Sequence, residues 1–248
     1  MAIETLDIIN GIVLIIFCII SIYVGARIAL KYFKYKQREL FLVGLSFIFL
    51  VSAWYPASIS FILFIITGTI LTREMYFIIG TNLWPIAIIV WTIAFTDLVY
   101  RNHQNVIIIL SILYGILFYF IFYFLLFTDP NLIGNLKGYT DVQYGPIIVA
   151  YAISLIIIEL VTGYLFCKVS LKSKDPEVRL KGKLLLTAFI LFAIGAGLDT
   201  SIPLTLITLP IVRGFEIGSA FAFYMGFISP QWTKKLFMKE EEAKNKKS

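Results

Sequence analysis

The run from Ile8 to Val24 contains no charged side chain, and six further apolar runs follow it through the remainder of the chain. A hydrocarbon core about 30 Å thick is crossed by about 20 helical residues, so runs of this length, separated by short charged stretches, read as membrane-spanning helices. Transmembrane β-strands would instead alternate apolar and polar residues in segments of about ten, which these continuous runs exclude. Composition agrees: only 15% of the 248 residues are charged and the mean hydropathy is +0.91, against roughly 25% charged in soluble domains. The predicted fold is an all-α polytopic bundle with spans near 8–29, 40–66, 77–99, 106–127, 146–167, 184–203 and 206–229. The stretch from Phe41 to Leu71 is too long for one upright helix and too short for two, so Pro56, after Trp54 and Tyr55, predicts a kinked or tilted span.

The net charge of +6 is a topology signal rather than a sign of nucleic-acid binding. With loops assigned alternately to two sides, residues 27–38, Arg101, residues 168–183 and residues 234–247 place 18 of the 21 basic side chains on one face. Arg73 and Lys137 fall on the other face and Arg213 within a span. The positive-inside rule then predicts seven spans, an outside N-terminus and an inside C-terminus, in the cell membrane. Residues 1–233 form the expected membrane domain, and 234–248 a charged cytoplasmic tail. Glu4 and Asp7 take the place of a basic leader, so the first run is expected to remain as a span. Cys18 and Cys167, both in or beside apolar runs, offer no disulfide framework.

Ionisable groups inside spans need a partner or a cavity, and three qualify: Glu159, Arg213 and Glu216. Arg213 and Glu216 stand three apart, on one helical face. At 1.5 Å per residue they lie about 10 and 15 Å below the outer boundary, and Glu159 about 20 Å below it. This predicts a buried cluster of two acids and one arginine between spans five and seven, either a ligand or coupling site or a clamp that fixes packing. Small residues at Gly214, Gly218, Ala222 and Gly226, and at Ser21, Gly25 and Ala29, predict close helix approaches. The aromatic run Phe118–Phe127 reads as a lipid-facing belt or as a stacking wall for an apolar ligand, and the loop 128–145 as a connection or a lid. Asp175, Pro176 and Glu177 predict a helix start, with Lys181 four residues beyond Glu177.

No catalytic constellation is legible, so the chain is expected not to be an enzyme. Span seven offers no lysine for a retinal Schiff base. Asp97 and Asp199 fall near opposite surfaces, too far apart to share a proton. His103 is the sole histidine, which leaves no His-rich metal site, and no cofactor is expected.

The stretch Asp175-Pro176-Glu177-Val178-Arg179-Leu180-Lys181-Gly182-Lys183 entering span six and the exit Tyr224-Met225-Gly226-Phe227-Ile228-Ser229-Pro230 before Trp232 resemble the seven-helix N-terminal sensor region of some histidine kinases. They also resemble small archaeal proteins consisting of that membrane region alone. The resemblance implies signal reception through a helix bundle. With no kinase domain after Trp232, it also implies a separate effector, met by the basic cytoplasmic loops. The leading expectation is therefore a receptor-like sensor in the lipid bilayer, with a small-molecule or lipid ligand and no nucleic acid. A proton- or ion-coupled transporter or channel, drawing on Glu159 and Glu216, and a non-catalytic subunit of a membrane complex remain open beside it.

Overall fold

The computed structural model describes residues 4–233; the tail 234–248 lies outside the described residues. Seven helices in it are long and apolar enough to cross a membrane. Helix is the form this sequence must take in hydrocarbon, where every backbone N–H and C=O has to be satisfied within its own segment.

The first span is α1 (Thr5–Tyr35). The second comprises α2 (Arg38–Leu50), a 3-10 turn at Val51–Trp54 and α3 (Tyr55–Thr67). The third comprises α4 (Arg73–Thr81) and α5 (Trp84–Leu98). Then come α6 (Gln104–Thr128), a hairpin of β1 (Gly134–Lys137) and β2 (Asp141–Tyr144), α7 (Pro146–Leu171), α8 (Pro176–Ser201) and α9 (Thr208–Ile228). Asp175 caps α8 by accepting from the Glu177 N–H at 2.8 Å, and Lys181 reaches Glu177 at 2.7 Å, as the sequence predicts.

Neighbouring spans pack in order around a ring. α1 meets α2, α2 meets α5, α5 meets α7, α7 meets α8, α8 meets α9, and α9 returns to α1, while α6 lies outside the ring against α5. Burial follows this plan: the apolar window of the third span is 61% buried and that of the α6 span 17%, which makes one the most enclosed member of the ring and the other the rim. The α1–α2 seam is set by Gly25 and Gly44, where a Cβ on Gly44 would stand 2.3 Å from the Gly25 carbonyl oxygen. The expected ridge on α9 is used only in part. Gly226 abuts Leu185, whereas Gly214 faces open space.

Two spans are broken side by side. Pro56 opens α3 after the 3-10 turn, realising the expected kink, and Pro85 opens α5 after a break that was not expected. Proline supplies no N–H and so leaves carbonyls in need of donors. Beside the second break, the Asn82 backbone carbonyl accepts from the Tyr119 hydroxyl at 2.5 Å and its side-chain oxygen from the Tyr123 hydroxyl at 3.0 Å. Ser52 donates to the Gly80 carbonyl at 3.3 Å, stitching one break to the other. The aromatic run on α6 is thus divided. Phe118 and Phe122 are buried, Tyr119 and Tyr123 serve the break, and Phe120, Phe124 and Phe127 point outward.

The loop 128–145, read above as a connection or a lid, contains an antiparallel hairpin with Gly134 paired to Tyr144 and Lys137 to Asp141. Its turn takes a positive φ of 63° at Gly138, where a Cβ would lie 2.6 Å from an Asp7 carboxylate oxygen. Glycine is required there both for the left-handed conformation and for the close approach.

Candidate functional site

Asp7 and Asn10 sit three apart on α1, Arg213 and Glu216 three apart on α9, and the two pairs face each other at the hairpin end of the ring. The Arg213 guanidinium is spent on three partners. Its Nη1 lies 2.7 Å from Glu216 Oε2, its Nη2 3.0 Å from Asp199 Oδ1, and its Nε donates to Asn10 Oδ1 at 3.1 Å. Asp199 comes from the last turn of α8, and its other oxygen accepts from the Trp54 indole at 3.0 Å. Gly195, one turn earlier on α8, makes this convergence possible: a Cβ there would stand 3.0 Å from Glu216 Cγ.

The network continues into the hairpin. Asn10 Nδ2 donates to the Thr140 carbonyl at 3.1 Å and lies 3.2 Å from its hydroxyl oxygen. Asp7 Oδ1 accepts from the Tyr139 N–H at 3.0 Å and the Thr140 hydroxyl at 3.2 Å. One connected set of polar groups therefore joins α1, the turn before α3, the hairpin, α8 and α9. Arg213 is 3% exposed and Glu216 0%, so the set is charge-assisted hydrogen bonding in a low-dielectric interior, where each bond is strong and each missing partner costly.

Below the hairpin this network borders a cavity of about 90 Å³, walled by Trp54, Tyr76, Trp84, Tyr144 and Phe192 and carrying Asp141, Asp199 and Arg213. The cavity shares Thr140, Asp141, Tyr144 and Asp199 with a vestibule of about 960 Å³ at the same end. Burial pushes the Asp141 carboxyl up to about 6, and Asp199 and Asp7 nearby push in the same direction against Arg213. Tyr144 is likewise pushed up, by burial and then by the charges of Asp199 and Asp141.

Of the three residues singled out by sequence, the fold brings Arg213 and Glu216 together and leaves Glu159 apart. Glu159 stands on α7, 9% exposed, and lines a second cavity of about 30 Å³ among Phe47, Trp91, Phe189 and Phe223. It forms no ion pair among the described residues, and its Oε2 accepts no hydrogen bond there. The expected cluster of two acids and an arginine is corrected to Glu216, Asp199 and Arg213. Depth along a helix places a residue on the membrane normal but not around the ring, and Asp199, from the last turn of α8, takes the role of second acid that the sequence reading gave to Glu159.

Sequence reasoning passed over Asp7, Asn10, Asp199, Asp141 and Trp54. A signal existed for the first two, since i,i+3 polar residues at the mouth of an apolar helix share a face. Asp97, weighed earlier against Asp199, sits at the basic end, where Arg38 reaches it at 2.5 Å and Gln104 at 2.8 Å. Among the described residues no group of three His, Cys, Asp or Glu is placed to hold a metal ion. Comparison of the chain with family models, with curated proteins and with solved structures finds no match.

Proposed function

We propose that the protein is a receptor-like sensor of the cell membrane, with its N-terminus and hairpin outside and its basic connections inside. One observation carries this reading: a cavity under the hairpin and the vestibule that shares its lining are bordered by polar groups from α1, α8 and α9 that are already linked to the kinked second span through Trp54. A ligand that binds there better in one arrangement of these helices than in another shifts the population between them. The shift reaches the opposite end through α1 and α9, where Lys31 Nζ donates to the Phe227 carbonyl at 2.7 Å. The basic connections at that end, including Lys172 and Lys174, are the surface offered to a separate effector.

A second reading, coupled transport, has one observation in its favour. Leu50 and Leu155 line both cavities, so the vestibule, the Arg213 network and Glu159 follow one another through the bundle. Reconstitution into liposomes separates the two. The sensor leaves imposed proton and potassium gradients intact, and it associates with an effector that charge reversal at Lys172 and Lys174 releases. A protein-dependent flux that Glu159→Gln or Glu216→Gln abolishes overturns the sensor in favour of the transporter.

A further inference from the structure

The electrostatics of the cavity select among ligand classes. Each nitrogen of Arg213 has a protein partner, Nη1 on Glu216, Nη2 on Asp199 and Nε on Asn10, so the one cation lining the cavity is already paired within the protein. It answers two carboxylates with a single charge. Asp141 is a third acid in the same wall, and among the described residues its Oδ1 accepts only the N–H of the next residue, Val142, at 2.8 Å. The vestibule adds Glu4 and Asp7 against Lys137. An anion entering this site would meet an uncompensated negative field, whereas a cation supplies the missing charge.

A second and independent observation concerns neutral groups. Tyr76 lines the cavity, is 3% exposed, and its hydroxyl makes no hydrogen bond with the described residues. The Tyr144 hydroxyl is buried and equally without a partner. Both rings stand within electrostatic reach of Asp141 and Asp199. Beside them the Trp84 ring lies 6.1 Å from that of Tyr144, and Trp54 6.0 Å from Phe192. Aromatic faces and phenolic oxygens around carboxylates suit an alkylated ammonium, which is held by charge, by the ring quadrupoles and by methyl contacts together. A bare metal ion would instead require several converging oxygens.

Size limits the ligand further. An apolar cavity of about 150 Å³ takes benzene, so the smaller space here accommodates a head group of roughly four to six heavy atoms, with any remainder in the vestibule.

We propose that this cavity binds a small organic ammonium ion, its head seated between Asp141 and Asp199 against Tyr76, Trp84 and Tyr144. The assignment rests on the reading of the cavity as the ligand site. Asp141 shares its surroundings with Asp7 on α1, Asp199 on α8, Arg213 on α9 and the hydroxyls of Tyr76 and Tyr144. Its ionised form is the one that attracts the ligand, so affinity falls as pH drops through about 6.

The test uses the full chain in lipid nanodiscs and three probes of one shape: choline, the uncharged 3,3-dimethylbutan-1-ol and the anion 3,3-dimethylbutyrate. Titration calorimetry and tryptophan fluorescence read binding. The expected result is choline binding at least tenfold tighter than either of the others, weakened tenfold or more by the isosteric Asp141→Asn, and weaker at pH 5 than at pH 7.5 in the unaltered protein. The pH arm needs no variant and so is independent of any folding defect. Equal or tighter binding of the alcohol or the carboxylate overturns the ammonium assignment while leaving the cavity a ligand site. Failure of choline to bind also overturns the assignment. The ligand-site reading itself falls if filling the cavity with Ala152→Leu leaves effector association unchanged.

Discussion

Two buried acids in this bundle have opposite surroundings. Glu216 has an arginine one turn away, and that arginine brings Asp199, Asn10 and, through them, the hairpin and Trp54. Glu159 has apolar rings on the cavity wall and no ion pair among the described residues. The first acid belongs to an assembly whose members hold one another's geometry, and removing one strands the rest. The second is a single group beside a small space, and its removal strands nothing. In a medium without water, connectivity rather than burial decides how much an ionisable residue matters to the fold.

The largest effect that sharpens this contrast is expected from Arg213→Met. It leaves the buried Glu216 and the half-buried Asp199 without their counter-charge, a loss of about 3–5 kcal/mol that denaturant titration in micelles detects. Arg213→Lys retains the charge but not the three-way fork, and is expected to fall between the variant and the parent. Next, Asp7→Ala removes the acceptor of the Tyr139 N–H and the Thr140 hydroxyl, which weakens hairpin docking by about 1–2 kcal/mol. Hydrogen exchange over residues 134–144 reports it, with little change in the helices.

A third effect is pH-dependent. The Asp141 carboxyl sits at about 6 in the folded chain, above the ordinary 3.8, so its contribution to hairpin docking is complete below about 4 and is lost as pH rises through 6. Intrinsic-rate-corrected exchange of the hairpin is therefore slower at pH 5 than at pH 7.5, and Asp141→Asn removes the difference. Smallest of all, Glu159→Gln is expected to shift stability by no more than about 1 kcal/mol, because no bonded partner is left behind. A loss there as large as that of Arg213→Met breaks the comparison.

The seven helices long and apolar enough to cross a membrane were legible because a bilayer imposes a length on each apolar run. Pro56 announced its kink because the run around it was too long. Pro85 did not, since the third span has an ordinary length and Tyr119 and Tyr123, far along the chain, repair the break. The hairpin was hidden for a related reason. Its strands are four residues each and owe their position to Asp7 and Asn10, more than a hundred residues away. The Arg213–Glu216 pair was readable from its spacing within one helix. Its extension to Asp199 and Asn10 was not, because which helices adjoin around a ring is fixed by packing faces that a single apolar stretch does not advertise.

The 3-10 turn at Val51–Trp54 has a consequence for the angular phase of the second span. An α-helix advances 100° per residue and a 3-10 helix 120°, so four tight residues rotate α3 relative to α2 by about 80° over what one continuous helix would give. The stripe that α2 turns toward α1 and α5 is therefore out of step with the stripe that α3 turns toward α1 and α4. Winding or unwinding that one turn would re-index every side chain beyond it by most of a quarter revolution, and Trp54, hydrogen-bonded to Asp199, stands at its last position.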